Sequence, residues 1–287
     1  GVYALIALGY TMVYGILELI NFAHGEIYML GAYLGIIFLG FFTAIGLTSY
    51  SLPLALALTF VLSIVFCSAY GFTIEKTAYK PLRNASRLSP LISAIGVSIF
   101  LQNYVMLTQG ATDKVFPHLF EETGFEMQGM TFTYIQIFII VVSAVLMMLL
   151  NLFITKTRMG KAMRAVAQDK TMASLVGINI DTVISVTFVI GSGLAAVAGL
   201  MVAMYYGLVN YSIGYIAGIK AFTAAVLGGI GSIPGAMFGG ILLGLVESLS
   251  ASYISPEYKD AYAFIILIII LLIKPSGLFG KAHEEKV

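Results

Sequence analysis

The stretch LPLALALTFVLSIVFCSAYGFTI, residues 52–74, contains no Asp, Glu, Lys or Arg. An α-helix needs about 20 predominantly apolar residues to cross the roughly 30 Å hydrocarbon core of a bilayer. In lipid the backbone must satisfy its own hydrogen bonds, and a helix does so within one segment. The stretch therefore predicts a transmembrane helix.

Similar apolar runs fill most of the 287-residue chain, which is 60% hydrophobic and only 10% charged. Because so few polar side chains cannot cover a water-soluble globule of this size, the bilayer must be the solvent. We predict an all-α, polytopic transmembrane helical bundle that forms a single domain over residues 1–287, with about eight hydrophobic segments and about eight to ten crossings. The predicted segments are Val2–Leu17, Ile27–Leu47, Leu52–Ile74, Pro90–Thr108, Thr133–Thr155, Thr182–Tyr206, Phe222–Leu249 and Ala261–Ile273. The chain begins inside an apolar run, so we expect a native N-terminal segment to precede Gly1.

Basic residues indicate how the segments are oriented, because Lys and Arg near span ends are retained in the cytoplasm. They concentrate in the loops at 76–87 and 156–170 and in the tail from residue 274 onward, whereas the loop at 109–130 is mainly acidic. We therefore expect the first two loops and the tail inside and the acidic loop outside. Eight unbroken spans would leave the tail outside. A break at GGIGSIPG, residues 228–235, would supply the missing crossing, either as two short helices or as a re-entrant turn.

Several functional classes are disfavoured by what the sequence lacks. Ion-coupled pumps usually carry ionisable groups at membrane depth, and the predicted spans contain few of them. No phosphate-cradling loop occurs, and the three histidines lie in different regions without metal-ligand spacing. A formal net charge of +1 gives no sign of a nucleic-acid partner. We expect no catalytic site, no metal and no cofactor bound by this chain, with the energy for transport coming from elsewhere.

A polar cluster interrupts the first apolar runs at Glu18, Asn21, His24 and Glu26. The first three would share one side of the chain if the stretch were helical. One interpretation is a turn at the membrane surface. The other is an unwound stretch that lines a translocation path, where irregular backbone is tolerated because it faces a cavity.

The loop at 156–181 combines basic and apolar residues at helical spacing. Met159, Ala162, Met163, Val166 and Ala167 would give an amphipathic surface helix. A second short helix would then begin after Asp169, a favourable N-cap, and end before Gly177, which can take the left-handed position. Such a short helix between two spans would fit a socket on another protein, and an ordinary basic loop is the alternative.

Small residues recur four apart in two places, which lets helix backbones approach closely in lipid. These ladders predict close helix packing, either within this chain or against a second membrane subunit. Their members are Gly191, Ala195 and Gly199, and Gly231, Gly235 and Gly239.

Four longer strings carry a resemblance to a known family. They are ALGYTMVYG at 7–15, INFAHGE at 20–26, LISAIG at 91–96 and AFTAAVLGGIGSIPGA at 221–236. Through them, and from its first residues to its last, the chain resembles the LivH-type permeases of bacterial branched-chain amino acid ABC importers.

The resemblance implies a multi-pass subunit of the bacterial inner membrane that forms half of a translocation path for branched-chain or other small neutral amino acids. It also implies a second related permease, two cytoplasmic ATPase subunits that use ATP, and a periplasmic substrate-binding protein. The alternative is a gradient-driven carrier or channel for a small neutral solute that acts without ATPase subunits.

The resemblance also implies that the stretch from Arg158 to Asp181 is the loop that contacts an ATPase subunit. The general importer pattern has an acidic residue and two alanines before a loop glycine. Here Arg164, Ala165 and Ala167 precede Gly177, so the acidic position is missing. The resemblance also makes the stretch at 21–26 a candidate for the translocation path.

Overall fold

The computed structural model describes residues 1–83, 85–86, 88–117, 124–127, 130–274 and 276–280, and nearly all regular structure in them is α-helical. The helices are α1 (Val2–Leu17), α2 (His24–Ala44), α3 (Leu47–Tyr50), α4 (Leu52–Ile74), α5 (Leu88–Gln109), α6 (Tyr134–Lys156), α7 (Arg158–Gln168), α8 (Lys170–Leu175), α9 (Ile180–Tyr206), α10 (Ile213–Gly228), α11 (Ile233–Tyr253) and α12 (Lys259–Ile273). Helix α4 continues into a π-helical turn (Glu75–Tyr79) and a 3₁₀ turn (Lys80–Leu82). Two short antiparallel pairs complete the structure: β1 (Lys114–Val115) with β4 (Leu208–Val209), and β2 (Gly124–Met127) with β3 (Met130–Thr133).

Among the described residues, 6 helices are long and apolar enough to cross a membrane: α2, α4, α5, α6, α9 and α11. The shorter apolar helices α1 and α10 lie among them, and α12 is a further apolar helix of 15 residues. The predicted all-α transmembrane bundle is therefore confirmed, and α1 and α4 have the bounds that the apolar runs predict.

The seventh apolar segment is broken, as predicted, into α10 and α11. Gly229 and Gly231 have φ angles of 106° and 88°, which favour glycine over other residues. The Ser232 hydroxyl then accepts a hydrogen bond from the Gly235 N–H at 3.2 Å, and Pro234 occupies the first turn of α11. Helix α10 begins at Ile213 rather than at the predicted Phe222, because residues 213–221 are mainly apolar and continue the helix past their single charged residue, Lys220.

Helix α9 forms the centre of the bundle, because it is the most buried of the six long helices, and it packs against α1, α2 and α4. Its glycines permit this closeness: a methyl group on Gly191 would lie 3.4 Å from Gly9 Cα, and one on Gly199 would lie 3.0 Å from Ala32 N. Ala195 is fully buried between them. The first small-residue ladder therefore packs within this chain.

The second ladder is only partly realised. Gly235 and Gly239 are buried against the end of α10, where a methyl group on Gly239 would approach Gly228 N at 2.7 Å. Gly231 does not belong to a helical ladder, because it lies exposed in the turn between α10 and α11. The prediction for Gly231 was wrong since the break that separates the two helices falls on it.

The two ends of the bundle are defined by contacts between loops. At one end, called here the α7–α8 end, Lys80 and Arg83 after α4 pair with Asp181 at the start of α9. At the other end β1 pairs with β4. The tail returns to the end of α10, where Leu278 N–H donates to Leu227 O at 2.9 Å. Arg87, Lys281 and Lys286, which contributed to the predicted orientation, lie outside the described residues.

Candidate translocation path and coupling segment

The junction between α1 and α2 is an interrupted helix. Helix α1 ends at Leu17, Glu18 takes a left-handed conformation (φ 58°), and α2 begins only at His24. Glu18 is exposed, whereas the side chains of the other three predicted residues are buried. The His24 ring lies against Gly9 in the middle of α1, so the chain turns back into the protein after Glu18. A shared helical face of the first three residues is not formed, because the stretch between Glu18 and Ala23 is not helical.

Asn21, His24 and Glu26 are each only 1% exposed, and each keeps unused hydrogen-bonding capacity. Tyr79 Oη donates to Asn21 Oδ1 at 2.8 Å, and Ser98 Oγ donates to Glu26 Oε1 at 3.0 Å. Within the described part of the chain, Asn21 Nδ2, His24 Nε2 and Glu26 Oε2 find no hydrogen-bond partner. A buried polar group without a partner costs about 1–3 kcal/mol, so this cluster lowers the stability of the present conformation.

A second junction repeats the first in both sequence and structure. INFAHGEI at 20–27 aligns with VNYSIGYI at 209–216, and each string precedes or opens a helix. His24 N–H donates to Asn21 O at 3.0 Å, and Ile213 N–H donates to Asn210 O at 3.4 Å. This likeness was missed in the sequence, although the shared asparagine, aromatic residue, small residue and glycine could have shown it.

The two junctions meet. A methyl group on Gly25 would lie 2.9 Å from Gly218 Cα, and one on Gly214 would lie 2.7 Å from Gly25 O. The N-terminal ends of α2 and α10 therefore cross in backbone contact, with Glu26 beside Gly214. Paired discontinuous helices of this kind, related by an internal repeat, are typical of substrate sites in transporters.

The predicted coupling loop at residues 156–181, called here the coupling segment, folds into the two short helices that the sequence predicts. Asp169 Oδ1 accepts a hydrogen bond from Met172 N–H at 2.9 Å at the start of α8, and Gly177 takes φ 84° after its end. Met163 and Val166 bury one face of α7 against the bundle. Local capping and amphipathicity therefore determine this segment.

Arg164 and the two alanines of the coupling segment occupy different environments. Arg164 Nη1 donates to Ile154 O at 2.8 Å, so its guanidinium holds α7 on the C-terminal end of α6. Ala165 is half-buried and Ala167 is exposed, as is Arg158. Only Arg164 among these residues has a side-chain hydrogen bond in the described structure.

Helix α8 presents an apolar surface to the outside of the chain. Met172, Leu175 and Val176 are 63%, 75% and 75% exposed at the α7–α8 end. Their neighbours Lys170 and Thr171 are polar, and Ala173 alone faces the bundle. An exposed apolar group rimmed by polar residues is typical of a contact with another protein or with the membrane.

Two charged clusters were not singled out from the sequence. Glu75 is fully buried beside α9, where it pairs with Lys76 at 3.3 Å and with Arg83, and accepts a hydrogen bond from Ser185 Oγ at 2.9 Å. Its position directly after an apolar span was the available signal. Arg83 also pairs with Asp181 across the α7–α8 end.

The second cluster lies within the spans and is an exception to their scarcity of charge. Lys220 Nζ of α10 is 2.7 Å from Glu247 Oε1 of α11 and 2.5 Å from Asp260 Oδ1 of α12, and donates to Tyr3 Oη at 3.3 Å. Lys220 is only 3% exposed. These ion pairs and the hydrogen bond link α1, α10, α11 and α12. No spacing in the sequence links these positions, because they come together only in the folded bundle.

The chain matches the family model described as "Branched-chain amino acid transport system / permease component" over residues 1–271. The chain belongs to this family. BraD, a high-affinity branched-chain amino acid transport system permease of Pseudomonas aeruginosa, is 52% identical over 99% of this chain and 94% of BraD. The corresponding LivH protein of Escherichia coli K12 is 52% identical over 99% of this chain and 93% of LivH. The fructose import permease FrcC of Rhizobium meliloti is 30% identical over 52% of this chain and 42% of FrcC. No solved structure gave a significant match.

Membership of the branched-chain permease family confirms the resemblance and a multi-pass permease of the bacterial inner-membrane type. The chain is the permease component of an ABC transport system rather than an enzyme. Such a component depends on ATPase and binding-protein partners, and ATP is used by the ATPase.

Proposed function

We propose that this chain, a single permease domain, forms one half of a translocation path for branched-chain amino acids. A second related permease forms the other half, two ATPase subunits contact the coupling segment at the cytoplasmic face, and a periplasmic binding protein delivers the substrate. The 52% identity to BraD and LivH over nearly the whole chain supports this substrate class, since both carry it in their names.

The observation that carries the proposal is the crossing of the two interrupted helices at Gly25 and Gly214. Helix N-termini carry partial positive charge, so the starts of α2 and α10 favour the carboxylate of an amino acid passing beside them. Asn21, His24 and Glu26 lie at the same place with unused hydrogen-bonding atoms. These groups gain partners if the bundle rearranges and admits a polar solute, which is what an alternating-access path requires.

The coupling segment supplies the mechanical link. The apolar surface of α8 offers a contact for an ATPase, while α7 is fixed to α6 through Arg164 and to the bundle through Met163 and Val166. A displacement of α8 is therefore transmitted to α6 through α7, and to α9, the next helix in the chain. Two-state rearrangements of packed helices convert such local displacements into a change of access.

Reconstitution into liposomes with the second permease and the ATPases tests the proposal. We expect ATP-dependent leucine uptake that Arg164→Glu or Gly177→Leu abolishes while ATP hydrolysis continues. Lys161→Glu is the matched control, because Lys161 is an exposed cation on the same helix and its side chain forms no hydrogen bond or ion pair with the described residues. Full leucine uptake in both Arg164→Glu and Gly177→Leu would show that these residues do not couple transport to ATP hydrolysis. Uptake by the chain without ATPase subunits would show a gradient-driven carrier instead.

A further inference from the structure

A groove between the end of α4 and the start of α9 is lined neither by the interrupted helices nor by the apolar surface of α8, although Asn179 and Asp181 at the end of the coupling segment contribute to it. It is a cavity of about 310 Å³ that opens to the outside of the chain. Phe72, Val186 and Val189 form an apolar wall, and the polar rim consists of Lys76, Asn179, Asp181, Thr182 and Ser185. The groove therefore spans the boundary between the apolar part of the bundle and its charged α7–α8 end.

The rim is rich in hydrogen-bond donors. Lys76 Nζ donates to Ser185 Oγ at 2.9 Å and lies 5.2 Å from the centre of the Phe72 ring, so the ammonium group is held at the rim. Its side chain is still 33% exposed, and an ammonium group has three donors. Asn179 Oδ1 accepts from Thr182 N–H at 3.0 Å, which leaves the amide NH₂ of Asn179 to point toward other groups.

The two carboxylates near the rim are already paired with cationic side chains. Asp181 pairs with Lys80 at 2.7 Å and with Arg83, while Glu75 pairs with Arg83 and Lys76. Three cationic side chains face two carboxylates, so the cluster carries an excess of one positive charge. This excess of positive charge favours an anionic group such as a phosphate beside the rim.

An apolar track leads away from the groove along α4. Leu58, Val61, Val65 and Phe72 are exposed large hydrophobic residues spaced three, four and seven apart. Residues at this spacing lie on one face of a helix. The track runs from the polar rim toward the opposite end of α4, as an acyl chain in one leaflet does.

We propose that the α4–α9 groove binds a membrane phospholipid with an anionic headgroup. The phosphate contacts Lys76 and the Asn179 amide at the rim, the glycerol end fills the cavity, and the acyl chains follow the exposed face of α4. Basic pockets between membrane helices are known to bind such headgroups. The lipid would bridge the end of α4 to the start of α9 and so stabilise the part of the bundle that adjoins the coupling segment.

The test uses the purified complex of this chain with its partner subunits, stripped of lipid in detergent. Phosphatidylglycerol or phosphatidylcholine with the same acyl chains is added, and in a third arm leucine alone. Thermal unfolding and native mass spectrometry report stabilisation and bound lipid. We expect phosphatidylglycerol to stabilise the complex more than phosphatidylcholine, with an apparent affinity about tenfold lower in Lys76→Gln, which loses one charge-assisted hydrogen bond.

Two further variants keep the proposal falsifiable if Lys76→Gln unfolds. Val186→Phe fills the apolar wall but leaves Lys76 in place, and we expect it also to lose the bound phosphatidylglycerol. Lys259→Gln removes an exposed cationic side chain at the start of α12 and should bind like the wild-type protein. Equal binding of phosphatidylglycerol by the wild-type protein and Val186→Phe would overturn the proposal. Stabilisation by leucine that depends on Lys76 would overturn it too, because the groove would then be a solute site.

Discussion

Replacing Gly25 with alanine tests whether stability and transport require the close crossing of α2 and α10. The added methyl group would lie 2.9 Å from Gly218 Cα and 3.2 Å from the Gly214 carbonyl carbon, and closer still to the Gly214 oxygen. All three are backbone atoms, so no side chain can rotate away and the helices must separate. Overpacking of this kind costs about 1–3 kcal/mol. We therefore expect a lower unfolding temperature and a loss of ATP-dependent leucine uptake by the reconstituted complex.

Gly40→Ala is the matched control on the same helix. A methyl group on Gly40 meets no atom within 4 Å, and alanine is favoured over glycine inside a helix by about 0.5–1 kcal/mol. This variant should therefore be as stable as the wild-type protein or slightly more stable, with normal uptake. If Gly25→Ala unfolds at the same temperature as Gly40→Ala and transports leucine normally, the close crossing is not required and the reasoning fails.

Three further changes probe other parts of the chain. Lys220→Met leaves the carboxylates of its buried cluster without their cation and should destabilise the protein by about 3 kcal/mol, with partial recovery when Glu247→Gln is added; equal unfolding midpoints would contradict this. Tyr79→Phe removes the 2.8 Å hydrogen bond to Asn21 and should cost about 1–3 kcal/mol in denaturant unfolding, whereas an unchanged midpoint would mean that another group replaces the hydroxyl. Gly177→Ala has space around it but needs φ 84°, so it should lower stability by about 1–2 kcal/mol through the backbone alone, and a neutral result would show that the turn can adjust.

The sequence predicts the helices well where apolar runs and capping residues act locally. The bounds of α4 follow from an uninterrupted apolar run, and α8 follows from Asp169 and Gly177 at its two ends. The glycines and the proline at residues 228–235 also mark locally where the apolar segment can break, although the break itself was predicted from the side of the membrane expected for the basic tail. These features depend on neighbouring residues, which is why spacing alone could locate them.

The site was harder to predict because its parts come from distant segments. The polar residues from Asn21 to Glu26 were found, but their contact with the start of α10 depends on how the helices cross. Gly231 was misassigned, since four-residue spacing cannot distinguish a helical ladder from a turn rich in glycine. Lys220 was overlooked because its partners lie 27 and 40 positions later in the chain and meet it only after folding.

Labelling of single cysteines with a membrane-impermeant thiol reagent tests most directly whether the coupling segment faces the cytoplasm, where ATPase subunits can reach it. Cys67 is first replaced by alanine, and a cysteine is introduced at Ser174 on α8 or at Thr112 after α5, both exposed. We expect the residue 112 cysteine to be labelled in intact cells and the residue 174 cysteine only in inverted membrane vesicles. Labelling of the residue 174 cysteine in intact cells would place the segment on the outer side and contradict the ATP-driven mechanism.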